Sequence, residues 1–332
     1  MVNTTSVSTL MNDGLGTWLD ERAQMRADAK AKASGRWTKA AFLGLPALAF
    51  MWFGPPWALD WKFIISAFIV GGGWAWGYAP IKAAKKEIKV GINSAIARSL
   101  GLQYEHDVEP GGEFEAAKTF GLLPHFHKSA FEDQWSGELK GHAFQLYEAH
   151  LRERRSSGKN TRYVTVFRGA IIAMDFGQPF HSITLLQRAG KHKKWLGLGG
   201  RKDSVSFNGR ELHYVDQVHP DFEDTFEVWS DDQVEARTLI HPSYIEQLLE
   251  IERAFSGEEI RALFLNGEII LAVESDDMFE SGSIEPHDDA RKAAATQDQF
   301  AMLAGLAVRI NQNVRGDRLS DPLRAPINSN GS

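Results

Sequence analysis

The sequence contains no cysteine. That excludes a disulfide scaffold, an iron–sulfur cluster, a cysteine-ligated zinc site and a thiol nucleophile. It also has no surplus of positive charge. The net charge is -6 and the isoelectric point lies near 6.0, so no global nucleic-acid signature exists. A GxSxG nucleophile elbow and a protein-kinase signature are missing as well. What is present is 332 residues, of which 24% are charged and 43% hydrophobic. That is enough for one or two folded domains and too polar for a chain mostly embedded in lipid.

Charge is scarce in one stretch. From Ala40 to Pro80 only Asp60 and Lys62 are charged. Two apolar runs fill the stretch, AAFLGLPALAFMWFG and FIISAFIVGGGWAWGYAP, separated by the turn PPWALDWK. Read as helices over 37–54 and 63–80, each is about 27 Å long, close to the roughly 30 Å of a bilayer's hydrocarbon. Pro55-Pro56 ends the first helix, and Pro46 kinks it. Trp52, Trp57 and Trp61 cluster at the turn, with Trp37, Trp74, Trp76 and Tyr78 at the opposite end, as two interfacial belts require. Gly71-Gly72-Gly73 allows close helix approach. A transmembrane helical hairpin is therefore expected, in preference to a shallow re-entrant hairpin that never reaches the far side, a buried hairpin of a soluble protein or a cleaved signal peptide.

Lysine and arginine set its orientation. Six precede the hairpin (Arg22, Arg26, Lys30, Lys32, Arg36, Lys39) and five follow within residues 82–98, whereas the turn holds only Lys62. Both termini are then cytoplasmic. The chain after residue 98 carries 25 basic and 37 acidic groups. Residues 8–34 place Met11, Leu15, Trp18 and Met25 at helical spacing, with Arg26 and Lys30 on the opposite face. They read as an amphipathic segment on the membrane surface or against a partner helix, or as a frayed polar leader.

Beyond the hairpin, residues 81–101 read as a helix with the stripe Ile88, Ile92, Ile96 and Leu100. HDVEPGGEF reads as a linker. From Trp135 the pattern is that of strands. SSGKN joins HAFQLYEAHL to RYVTVFRGAIIAMDF, and HSITLLQ is a further strand. Asn208-Gly209 and Asn266-Gly267, each between apolar runs, mark two hairpins with type I′ turns. Ser230 is taken as an N-cap, with Asp231, Asp232 and Glu235 at that helix's positive end. His241-Pro242 opens another helix. Residues 287–311 form a long amphipathic helix with Phe300, Leu303, Leu306, Ala307 and Ile310 inward. The expected class is α+β: an N-terminal transmembrane helical hairpin followed by a mainly antiparallel β-sheet domain with packed helices. The expected divisions are 1–36 (amphipathic or disordered segment), 37–80 (hairpin), 81–312 (cytosolic α+β domain) and 313–332 (disordered tail).

Three segments carry a resemblance: VFRGAIIAMDFGQPF (166–180), KKWLG (193–197) and HPDFEDTFEVWSDDQVEARTLIHPSYIEQLLEIERAF (219–255). With the paired apolar runs, they make the chain resemble the bacterial membrane-protein family known as domain of unknown function 3137. The likeness covers most of residues 37–280, and Asp-Asp-Gln-Val-Glu-Ala-Arg (231–237) is its most specific part. The resemblance implies a bacterial inner-membrane protein with a cytosolic domain. It implies no activity.

Three groups of residues are candidates for chemistry. The loop Arg188–Lys202 holds Arg188, Lys191, Lys193, Lys194, Arg201 and Lys202 around Trp195 and has no acidic residue. Cations flanking an aromatic suit an anionic lipid surface or another anion, and Gly197, Gly199 and Gly200 let backbone amides reach a phosphate. The bland alternative is a solvated hairpin loop. His125 and His127, with Glu132 and Asp133 nearby, offer metal ligands at a spacing that matches no zinc motif. Asp231 and Asp232, with Glu235 and Arg237, suit acid–base work or a cation, though helix capping explains the same residues.

The expectation is a membrane-anchored cytosolic binding or scaffold module, with no cofactor and no nucleic-acid partner. Its partners are the bilayer, anionic lipid, and a protein or a second copy of the chain. The alternatives are a membrane-tethered enzyme using the carboxylates or the histidine pair, and an accessory subunit of a transport complex. Two helices without charge inside their apolar spans form no ion path alone, so the transport role needs an oligomer or partner.

Overall fold

The computed structural model describes residues 6–157, 160–176, 180–189, 203–216, 220–240, 245, 246, 249 and 260–314. The chain opens with α1 (Val7–Leu10), a distorted turn at Met11–Leu15, α2 (Gly16–Glu21), α3 (Ala23–Phe53) and α4 (Leu59–Ser99). Then follow β1 (Leu102–Asp107), α5 (Gly112–Thr119), β2 (Lys128–Leu139), β3 (His142–Ser157), β4 (Asn160–Asp175) and β5 (Thr184–Arg188). The remainder comprises β6 (Ser204–Phe207), β7 (Arg210–Tyr214), α6 (Pro220–Thr225), β8 (Phe226–Ser230), α7 (Gln233–Leu239), β9 (Ile260–Leu265), β10 (Glu268–Glu274) and α8 (Asp289–Val314). The α+β class expected from the sequence is the observed one.

Two compact units result. One comprises residues 4–100 with 279–298 and is helical. Its apolar runs lie in longer helices than the sequence suggests. α3 starts at Ala23 and α4 at Leu59, so half of the expected turn is helical, and α4 continues through Pro80 to Ser99. Asp60 in the first turn of α4 favours that early start. Ile88, Ile92 and Ile96 are buried, as their spacing requires. The N-terminal stripe is shifted. Leu10, Leu15, Leu19, Arg26, Ala29 and Ala33 are the buried residues, so Arg26 faces inward rather than outward. Arg26 is held there by an ion pair with Asp289.

Of the glycine triplet only Gly73 makes the hairpin's close approach, and Gly77, outside the triplet, makes a tighter one. A Cβ at Gly73 would sit 3.2 Å from Ala40 Cβ, and one at Gly77 would collide with the Trp37 ring, whereas Gly71 and Gly72 have open space. Among the described residues one helix, α4, is long and apolar enough to cross a membrane, and almost none of its apolar window is buried. On α3, Phe42, Phe50 and Phe53 are 78%, 72% and 90% exposed.

The other unit, residues 101–278 with 299–314 of the described chain, is built on one ten-stranded sheet. Its order is β1-β2-β3-β4-β10-β9-β5-β8-β7-β6, and every described pairing is antiparallel. Both Asn-Gly hairpins are present, with φ of +47° and +78° at Asn208 and Gly209 and +53° and +82° at Asn266 and Gly267. Alternate residues of β3 face opposite ways. Tyr147, Ala149 and Leu151 join Phe114 of α5, Phe167, Leu185 and Trp229 in the main core. Phe144 lies on the other face, where Phe300 of α8 meets it and Trp135 at ring distances of 6.1 and 4.8 Å.

Candidate functional site

The most unusual local geometry is a bulge in β2. Its register with β3 runs to Glu132↔Glu148 and resumes at Trp135↔Leu146, so Asp133 and Gln134 share one position. Asp133 takes φ +61°, in the left-handed region that aspartate tolerates better than most residues. Bulges re-aim side chains, and this one turns a carboxylate inward. Asp133 is fully buried. Its Oδ1 accepts a hydrogen bond from the Tyr104 hydroxyl at 2.5 Å and lies 3.2 Å from His106 Nδ1, both supplied by the adjacent β1.

Glu132 completes the group. Ligand atoms of His106, Glu132 and Asp133 lie within 4.8 Å of one another, and Glu132, Glu148 and Asp277 meet the same condition. A cation bonded at about 2.1 Å to each ligand needs separations of roughly 3 to 4 Å, which small side-chain shifts supply. One imidazole with carboxylates suits zinc or manganese better than a soft metal. Glu148 is buried and its Oε1 accepts the Met278 amide at 2.6 Å, while Asp277 pairs with Arg168. His150, across the strand pair from Arg168, has a lowered pKa because burial and the Arg168 and Arg152 charges oppose its protonation, against Asp277.

The residues singled out from the sequence fall elsewhere. Arg188 ends β5, half-buried and paired through its backbone with Phe226. Lys191, Lys193, Lys194, Trp195, Arg201 and Lys202 lie outside the described residues. The rings of His125 and His127 stand 4.9 Å apart and both residues are exposed. His127 Nδ1 accepts the Arg154 amide at 3.2 Å, and among the described residues neither histidine shares a three-ligand group. Glu132 and Asp133 gather with His106 instead.

The 231–237 stretch is spent on structure. Asp232, not Ser230, caps α7, accepting the amides of Val234 and Glu235 at 2.9 and 3.0 Å. Ser230 closes β8, where its hydroxyl meets that of Thr184 at 3.0 Å. Asp231 Oδ1 accepts the Ile183 amide at 2.7 Å, and Glu235 accepts those of His181 and Ser182. Burial opposes the charge on Glu235, but the Ser182 and His181 hydrogen bonds outweigh it and lower its pKa. Arg237 Nε reaches the Asp216 carbonyl at 3.4 Å. These carboxylates tie the 181–183 segment to α7. Of the described residues of the 241–255 stretch, Ile245 and Leu249 are buried and Glu246 is exposed.

No curated protein matches the chain. A solved structure, the crystal structure of the mycobacterial trehalose monomycolate transport factor A, TtfA, is similar at a TM-score of 0.31 and 12% identity, over 66% of this chain and 94% of that one. The family model described as protein of unknown function (DUF3137) matches residues 165–312, which run from within β4 to within α8 and include neither α3 nor α4.

Proposed function

We propose that the chain is a membrane-anchored binding module of the bacterial inner membrane. In this reading α3 and α4 form a multi-pass hairpin, both termini are cytoplasmic, and the sheet unit is cytosolic. The observation that carries it is the apolar surface of α4, with the exposed phenylalanines of α3 beside it in sequence. Soluble proteins rarely leave so much contiguous apolar surface in water. The lysines and arginines on both flanks of the hairpin, against one at its turn, support the orientation. The basic loop Arg188–Lys202 is the proposed contact for anionic lipid or a protein partner.

The absence of cysteine makes the test direct, since any introduced thiol is unique. A membrane-impermeant maleimide applied to intact spheroplasts is expected to label Trp57→Cys at the turn and to leave Ser136→Cys unlabelled until lysis. The reverse pattern inverts the topology, and release of the protein by carbonate wash removes the anchor. Partners are sought by mild-detergent co-purification of the full chain with mass spectrometry for proteins, lipids and metals.

A second reading, a membrane-tethered metal-dependent enzyme, is favoured by the His106–Glu132–Asp133 group. Stoichiometric zinc or manganese in the purified protein would support it.

A further inference from the structure

Strands β3 and β4 outrun their neighbours. Pairing of β2 with β3 begins at Lys128↔Arg152, and that of β10 with β4 ends at Glu274↔Gly169. From Glu153↔Val164 to Ser157↔Asn160 the two strands pair only with each other among the described residues. The result is a two-stranded arm. Its described residues, 151–157 and 160–163, hold Arg152, Arg154, Arg155 and Arg162 against a single acid, Glu153. The stretch after residue 98 has a large acidic excess, so this is a concentrated local reversal of sign.

Among the described residues, only Arg155 of the arm's cations meets a carboxylate within the arm. Arg154, Arg155 and Arg162 are exposed. Arg155 and Arg162 stand directly opposite each other, a like-charge pairing that disfavours the ribbon when nothing anionic is near. Glu153 is engaged by Arg155 Nε at 2.8 Å. On the other face Lys128 Nζ sits 4.1 Å above the ring of Tyr163, which is 42% exposed.

We propose that this arm docks on an anionic lipid leaflet. A ribbon has no walls, so it specifies no discrete small anion. Arg152 and Arg154, alternate residues of β3 about 6.6 Å apart on one face, and the cross-strand pair Arg155 and Arg162 on the other spread cations over the ribbon as a plane of phosphates requires. A tyrosine, apolar in body and polar at its tip, suits the headgroup layer. A stable protein interface needs roughly 800 Å² per partner around an apolar centre, and the arm offers one aromatic ring. The proposal rests on the anchor reading, because a tether keeps the leaflet at high effective concentration. Each cation brought near such a surface adds about fivefold to partitioning.

The test uses the full-length chain in nanodiscs, carrying an environment-sensitive fluorophore on Ser156→Cys as its sole thiol. Discs of phosphatidylcholine alone are compared with discs containing 30% phosphatidylglycerol. In the anionic discs the emission should shift to the blue. The shift should vanish at 0.5 M salt and fall at least tenfold in lipid dependence in an R154E/R155E/R162E variant. An R154Q/R155Q/R162Q variant, with the same thermal midpoint, should fall between them. Equal emission in the two discs overturns the proposal. So does a shift produced in neutral discs by polyglutamate or by a DNA oligonucleotide while anionic discs give none, which would assign the arm to a protein or a nucleic acid. A chain that fails to enter discs defeats the anchor reading separately. The same labelled chain is then offered anionic vesicles, and an unchanged spectrum there overturns the arm as well.

Discussion

Arg26 Nη2 donates to Asp289 Oδ2 across 2.7 Å, joining residues 263 positions apart, and both side chains are buried. The pair is one of several links that hold residues 279–298 to α3 and α4. Lys30 meets Glu285 at 2.7 Å, Lys89 meets Glu280 at 2.5 Å, and Asn93 Nδ2 donates to the Phe279 carbonyl. Arg26 Nε and Nη1 and Asp289 Oδ1 are buried with no hydrogen-bond partner among the described residues. A buried pair of this kind costs desolvation on both sides, and removing one member leaves the other charge uncompensated. R26M is therefore expected to destabilise the helical unit by about 3 to 5 kcal/mol, and R26M/D289L by far less. Denaturant titration in mild detergent measures both, and equal losses for the single and double variants would refute the coupling.

The same pair gives a pH dependence. Burial raises the Asp289 carboxyl above the usual aspartate value, and the Arg26 hydrogen bond and charge offset this only in part. A carboxyl raised in the folded state favours folding while protonated. Its contribution is present below the unfolded value, near pH 4, and is lost as pH rises through the folded one. Hydrogen exchange of the 280–292 amides should accordingly quicken over that interval beyond its intrinsic rise with pH. In R26M the interval should extend to higher pH.

Glu235 behaves in the opposite sense. Its pKa is lowered by the amide hydrogen bonds of Ser182 and His181 despite burial, so its contribution is present above the unfolded value, near pH 4, and disappears as pH falls through the folded one. E235Q keeps the size and loses the charge. It is expected to cost about 1 to 3 kcal/mol at pH 7 and to flatten the acid limb of the stability curve. An acid limb identical to that of the wild type would refute the assignment.

Much of the sheet was legible because its turns carry their own chemistry. Asn-Gly at 208–209 and 266–267 accepts positive φ and stands between apolar runs, so each hairpin is marked by its turn even where, as in β9 and β10, nearly every residue is buried. Strand β2 was legible only from Trp135 because its bulge at Asp133 breaks the period of two. Strand β8 was missed because Phe226–Ser230 is buried throughout and shows no alternation. The His106–Asp133 contact was hidden for a related reason. His106 opens the turn-rich HDVEPGGEF, which reads as a linker, whereas Tyr104 and His106 lie two apart, on one face of a strand. The basic arm is not legible from its turn signal, because SSGKN marks a hairpin without marking how far β3 and β4 run past their neighbours.

The bulge yields a prediction on the metal-dependent reading. If His106, Glu132 and Asp133 hold a divalent cation, wild-type protein should bind zinc or manganese at one equivalent in calorimetry. H106A and D133N should each weaken it by at least tenfold. D133N is the sharper probe, because asparagine also accepts the left-handed conformation and so preserves the bulge. Unchanged binding in both variants would place the metal elsewhere. Absence of binding in the wild type would leave the Tyr104–Asp133–His106 contacts a structural network.

The hairpin's glycines separate packing from mere flexibility. At Gly77 an added methyl would meet the Trp37 ring, whose Nε1 donates to the Trp74 carbonyl at 3.3 Å, so G77A must displace an indole that bridges α3 and α4. Overpacking of this sort costs about 1 to 3 kcal/mol. At Gly71 the same methyl meets nothing within 4 Å, and alanine relieves the helix of glycine's entropic cost of about 0.5 to 1 kcal/mol. G77A should therefore lower the thermal midpoint of the detergent-solubilised protein while G71A leaves it unchanged or raises it. Gly71 and Gly77 are both helical glycines in α4, so intrinsic helix propensity alone predicts gains for both substitutions. Only contact with Trp37 predicts opposite signs.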